Sequence, residues 1–180
     1  GKGYDVLHTR EPGGTPIGQQ VRGVLFDQNN GAMTPEAEFL LFSASRAQLV
    51  REVIWPQLEK GGVVVCDRFF DSSLAYQGYG HRLEQGVLRE VTRLATGGLQ
   101  PDLTLLLDIA PEDGLRRRKQ QSEQWNRLDA YELSFHTRAR QGFLTLAQAE
   151  PGRWEVIDAS QTSDAIFECV RVRVQRALAG

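Results

Sequence analysis

Cysteine is scarce: Cys66 and Cys169 are the only two in the sequence, too few for a disulfide framework. Cys66 falls in an apolar stretch and reads as a small buried hydrophobe. Three histidines without a Cys/His cluster give no basis for a structural zinc site. No apolar run reaches membrane-spanning length, and no secretory signal opens the sequence. Neither charge sign dominates, the net charge being -2. That balance excludes a general nucleic-acid binder but leaves room for a small phosphorylated ligand in a local basic pocket. A cytoplasmic protein with no membrane partner is the expectation. An initiator methionine is also absent, and the opening Gly1-Lys2-Gly3 reads as a turn inside a domain.

What is present is a regular alternation. Strands are expected over residues 4–9, 63–66, 103–107 and 154–157. Thr15-Pro16 and Thr34-Pro35 each place a cap residue before a proline, the start signal of a helix. The first helix runs to about residue 26 with Ile17, Val21, Val24 and Leu25 on one face; the second runs to about residue 60 with a break at Pro56. Further helices are expected over 83–95, 111–118, 129–149 and 163–178, with polar loops at 27–32 and 119–126. Strands separated by helices specify an α/β fold with a doubly wound parallel sheet. There is no internal repeat and no linker, so residues 1–180 are expected to form one domain.

Four constellations carry chemistry. Residues 63–78 (VVVCDRFFDSSLAYQG) run from an apolar strand into Asp67-Arg68 and a cluster of hydroxyls. Ligands of parallel sheets lie beyond the carboxyl ends of the strands, where an arginine fork suits a phosphate; a strand end with a surface ion pair would read the same. Residues 9–15 (TREPGGT) leave a strand for a helix, with Gly13 and Gly14 allowing close backbone approach to a ligand and Arg10 able to fork onto phosphate or onto Glu11. In residues 40–46 (LLFSASR), Phe42 and Arg46 stand four apart on one helix face. A ring beside a guanidinium suits a planar heterocycle, although a core phenylalanine and a snorkelling arginine would share the spacing. Last, Arg116-Arg117-Arg118-Lys119 and Arg127 could close over a polyphosphate or form a solvated basic face.

Together with GLQPDLTLLLD (residues 98–108) and NRLD (126–129), these segments resemble the thymidylate kinase family, bacterial type, in order and spacing across nearly the whole chain. The resemblance implies a P-loop NTPase-like sheet flanked by helices, and phosphorylation of dTMP to dTDP by ATP with Mg²⁺ in dTTP biosynthesis. It implies that Phe42 stacks on thymine, that Arg46, Ser72, Ser73 and Gln77 read the base, and that Tyr76 packs near the sugar. Arg10, Arg22 and Arg68 would hold the 5′-phosphate with Glu11 beside them, and Asp67 would serve the metal. Arg68, Arg116, Arg118 and Arg127 would act catalytically, the last three in or beside a lid spanning about 116–128; Lys119, Arg127, Asp158 and Ala159 would meet ATP. A homodimer is implied as well. One departure stands out: no Gly-rich loop ending in Gly-Lys-Ser/Thr occurs in the 180 residues, the element that cradles ATP phosphates in the family. The expectation is a fold without its first strand-loop-helix unit, roughly 30 residues, with bare sheet edges and poor turnover by these residues alone. An inactive nucleotide-binding fragment, or another nucleotide kinase of the same fold, stays open beside the main reading.

Overall fold

The computed structural model describes residues 3–120 and 125–179. Strand β1 (Val6–Arg10) pairs in parallel with β2 (Val63–Asp67), and β3 (Thr104–Asp108) with β4 (Trp154–Asp158). The register sets Arg10 opposite Asp67 and Asp108 opposite Asp158, so both pairs end in charged residues at their carboxyl edges.

Among the described residues, eight α-helices surround the strands. Helix α1 (Pro16–Phe26) starts where the Thr15 hydroxyl caps the Gly18 N–H, and α2 (Pro35–Leu49) where Thr34 caps Ala37. These are the two Thr-Pro starts expected from the sequence. Helix α2 does not break at Pro56. It passes through a π-helical turn, Val50–Ile54, into α3 (Trp55–Glu59), because a proline in the first turn of α3 needs no N–H partner. Beyond β2 lie α4 (Phe70–Ser73), a second π-helical stretch over Leu74–Gly80, and α5 (Gln85–Thr96), which closes on Gly97 at φ 63°. Helices α6 (Pro111–Gln120), α7 (Leu133–Ala149) and α8 (Ser163–Ala177) complete the chain. Residues 121–124 of the expected lid loop lie outside the described residues.

The α/β alternation holds, but the single continuous sheet does not. The described strands form two separate two-stranded sheets, because no hydrogen-bonded strand joins β2 to β3. Side chains join the halves instead. Phe69 packs against both hydrophobic clusters, one built on Phe39, Phe70, Leu74, Leu88, Leu146 and Trp154, the other on Leu49, Val50 and Ile54. Each buried leucine in these clusters stabilises by roughly 1.5–3 kcal/mol. Arg153, just before β4, adds a two-point ion pair to Asp71 of α4 at 2.7 and 2.9 Å. Val65, Leu107 and Val156 stay exposed on the strands. On α1 only Leu25 of the expected apolar face is buried; Ile17 and Val24 face outward.

Cys66 is half-buried in the second cluster, its thiol donating to the Arg68 carbonyl and pushed up to about 12, first by burial. Both cysteines are free, in keeping with the absence of a disulfide framework.

Candidate functional site

The carboxyl ends of β1 and β2, with the helices after them, enclose a cavity of ≈ 310 Å³, within the size range of small-ligand pockets. Arg10, Glu11, Arg22, Phe42, Arg46, Asp67, Arg68, Ser72, Ser73, Tyr76, Gln77 and Arg118 all line it. A second cavity of ≈ 440 Å³ shares Arg22, Phe26, Arg118 and Asn126 with it.

Helix α2 supplies one wall. Phe42 is half-buried and offers its ring to the cavity, while Arg46, one turn on, is only 1% exposed. Arg46 Nε donates to Glu11 Oε2 at 2.8 Å and Nη2 to Ser73 Oγ at 2.9 Å. Its Nη1 and the second oxygen of Glu11, Oε1, are buried without a partner among the described residues. Buried polar atoms are nearly always satisfied, so two orphans at a cavity wall make this wall a candidate ligand position. Burial pushes Glu11 up to about 7 against the pull of the Arg46 guanidinium.

The loop after β1 is shaped by packing more than by a ligand. A Cβ on Gly14 would sit 2.6 Å from both Leu49 Cδ1 and Thr9 Oγ1, at φ 76°. The Gly13 N–H is taken by Ser45 Oγ at 3.0 Å. The glycines therefore seat this loop on α2.

The opposite wall comes from β2 and the helical segment after it. Arg68 is exposed and sits at φ 65°, a left-handed conformation uncommon outside glycine and concentrated at functional sites. Its guanidinium lies 5.3 Å from the Tyr76 ring centroid. Ser72, Ser73, Tyr76 and Gln77 stand on α4 and the π-helical stretch, a kind of turn that recurs at functional sites. Arg10 ends β1, exposed, with no side-chain hydrogen bond or ion pair among the described residues. Arg22 donates to the Pro12 carbonyl at 3.0 Å and lies over the Phe26 ring.

The lid-side cations divide. Arg118 reaches the cavity and donates from Nε to Asp129 at 3.2 Å. Arg116 is exposed and pairs with Asp113 at 2.6 Å, and Lys119 lies 5.4 Å from the Trp125 ring. Arg127, expected among the phosphate-facing cations, is turned inward. Its three nitrogens donate to Leu25 O, Tyr131 Oη and Glu38 Oε2 at 2.9, 2.6 and 2.5 Å, and the residue is buried. Asp158 and Ala159 lie at the carboxyl end of β4, outside both cavities, where Arg117 donates to the Ala159 carbonyl at 2.8 Å.

Two participants escaped the sequence reading. Glu38 is fully buried and also accepts from Gln77 at 2.7 Å and Tyr131 at 2.7 Å. Its spacing was a signal: Glu38, Phe42 and Arg46 repeat every four residues along one face of α2. His136 of α7 lines the cavity from a segment with no motif of its own. Among the described residues no group of three or more His, Cys, Asp or Glu gathers to hold a metal ion.

The family profile described as thymidylate kinase matches residues 1–170. A thymidylate kinase of Roseiflexus castenholzii is 47% identical over 98% of this chain and 82% of its own length. One of Deinococcus radiodurans is 53% identical over 91% and 79%. The crystal structure of thymidylate kinase from Ehrlichia chaffeensis superposes with a TM-score of 0.72 at 30% identity, over 93% of this chain and 79% of that one. Profile, sequence and fold agree along nearly the whole length, and the chain belongs to the thymidylate kinase family.

Proposed function

We propose that this chain is an ATP:dTMP phosphotransferase whose dTMP site is the cavity between α2 and the β2 end. The observation that carries the assignment of the site is the buried Arg46, its Nη1 unpartnered, one turn from the half-buried ring of Phe42. A thymine ring stacked on Phe42 meets donors of Arg46 at its edge and the amide of Gln77 beside it. Ser72 and Ser73 complete the polar wall, and Glu11 holds Arg46 in place.

The sugar then leads toward Tyr76, and the 5′-phosphate toward Arg10, Arg68 and Arg22. A dTMP phosphate oxygen attacks the γ-phosphorus of ATP; the new P–O bond makes dTDP, and the β–γ bridge breaks to release ADP. Two anions must meet, so the chain contributes positioning and charge neutralisation more than covalent chemistry. Arg68 and Arg118 both line the cavity and are the cations assigned that task; Arg116 and Lys119 are exposed cations of the same lid helix. Arg127 acts indirectly, anchoring the lid base through Glu38.

Mg²⁺ fits this donor set, since it is held by one or two carboxylates with substrate phosphates supplying further oxygens. Asp67, exposed at the cavity edge, is the residue that would hold it, and the ion when bound offsets phosphate charge. Asp158 and Ala159 would border the adenine of ATP. A cytoplasmic homodimer without nucleic-acid or membrane partners belongs to the same reading; no helix among the described residues is long and apolar enough to cross a membrane.

Calorimetry with dTMP and thymidine tests the site. Phe42→Ala is expected to weaken dTMP by about 1–3 kcal/mol through lost stacking. Arg68→Lys keeps the charge but loses the fork, so it is expected to weaken dTMP far more than thymidine. Unchanged dTMP affinity in a folded Phe42→Ala variant, or equal losses for both ligands in Arg68→Lys, would overturn the placement.

A further inference from the structure

Glu38 of α2 is fully buried and does not line the cavity, yet its carboxylate fixes a side chain that does. Arg127 Nη2 and Tyr131 Oη donate to Glu38 Oε2 at 2.5 and 2.7 Å, and Gln77 Nε2 donates to Glu38 Oε1 at 2.7 Å. The His81 ring nitrogen lies 3.3 Å from the same Oε1. With the Arg127 guanidinium as counter-charge the carboxylate is ionised, and an ionised carboxylate only accepts. The Gln77 group that meets it is therefore the NH2, and the amide cannot turn over without setting oxygen against oxygen.

That bond decides what the cavity presents to a ligand. Gln77 lines the cavity, and its Oε1 takes no hydrogen bond among the described residues, so the amide offers an acceptor. Arg46, which donates to Ser73 four residues before Gln77, adds a buried unpartnered donor, Nη1. An acceptor with a donor complements thymine, whose N3–H donates next to an accepting O4. Cytosine reverses both groups: its N3 accepts and its 4-amino group donates. A site built on such bonds rejects the mismatched base because its buried polar groups are then left unpaired.

We propose that Glu38 is a positioning residue for base choice: by holding the Gln77 NH2 group it keeps the Gln77 oxygen toward the base, so that the site selects thymine over cytosine. The proposal rests on the dTMP reading of the cavity. It is tested by calorimetry of the chain with dTMP and with dCMP. In Glu38→Gln, Arg127 can only donate and so retains the oxygen of the new amide; the NH2 group falls toward Gln77, which turns to meet it and presents its own NH2 group to the base. The wild type is expected to prefer dTMP by about a hundredfold, the scale of two reversed hydrogen bonds, and Glu38→Gln to lose about tenfold of that preference. If circular dichroism shows that variant unfolded, Glu38→Leu combined with Arg127→Met removes the buried pair together and frees the amide to turn, with the same loss expected. A folded variant that weakens both nucleotides equally makes Glu38 purely structural and overturns the proposal while leaving the dTMP site standing, as does a wild type that binds both alike. No binding of either nucleotide by the wild type overturns the reading of the cavity itself, and the proposal with it.

Discussion

At Glu38 four side chains converge on one carboxylate. Burial alone would raise its pKa; the His81 ring nitrogen 3.3 Å away and hydrogen bonds from Tyr131, Gln77 and Arg127 outweigh that and hold it at about 2. One residue thereby ties the cavity-facing helix α2 to Gln77 on the second wall and to Arg127. Glu38→Gln leaves Arg127 buried without its counter-charge, and a broken buried pair costs about 3 kcal/mol or more. The pH dependence is set by the direction of the shift. The folded-state pKa lies below the ordinary value of 4.5, so the ionised carboxylate stabilises the fold above that value. The contribution is lost as pH falls from about 4.5 toward about 2. Urea unfolding at pH 7, 4 and 3 is expected to show the gap between wild type and Glu38→Gln narrowing with acid. A gap that stays constant across that range would mean that Glu38 is not the ionised centre of the cluster.

Between elements, the two parallel pairs are held to each other by Phe69 packing and by Arg153 on Asp71, where Thr104 Oγ1 lies 2.8 Å from Arg153 Nη1. Arg153→Met is expected to cost about 3 kcal/mol, because Asp71 would remain buried and unpaired. It is also expected to lower the denaturant m-value, since the halves would no longer open as one unit. An unchanged m-value with both halves melting together would show that side-chain packing alone joins them. The sequence announced the elements unevenly. Thr-Pro caps and short apolar strands have local signatures, so β1 to β4, α1 and the start of α2 were legible within a residue or two. Residues 70–80 were not, reading as a polar cluster when they are helical. A π-helical stretch shifts the phase of the apolar pattern, and Gly78 and Gly80 mask the rest; a Cβ on Gly80 would strike the Phe135 ring at 2.6 Å. The pocket residues were legible because they cluster in motifs, whereas Glu38 acts through partners far away in sequence and His136 comes from a segment with no motif of its own. The inward turn of Arg127 was hidden for the same reason: its partners Leu25 and Glu38 lie some 90–100 residues away.

Across the whole molecule, several large apolar side chains stay exposed on neighbouring helices, the kind of surface the proposed homodimer would cover. Leu94 and Val87 on α5, Leu40 on α2, and Ile17 and Val24 on α1 are all exposed, Leu94 by 81%. Helix α2 packs against both α1 and α5, so these residues ride on three neighbouring helices. Scattered exposed leucines are ordinary, but large contiguous apolar patches on soluble proteins mark association surfaces. The cavity opens at the strand ends and uses none of these five side chains, so association would leave the site accessible. In a two-fold dimer the same patch meets itself, and a charge placed there is introduced twice and buried twice. Sedimentation at micromolar concentration is therefore expected to show a dimer for the wild type and a monomer for Leu94→Glu. Leu94 is almost fully solvated within one chain, so its replacement is expected to leave the fold and dTMP affinity unchanged. A wild type that sediments as a monomer, or a Leu94→Glu variant that stays dimeric, would remove these helices as the contact surface.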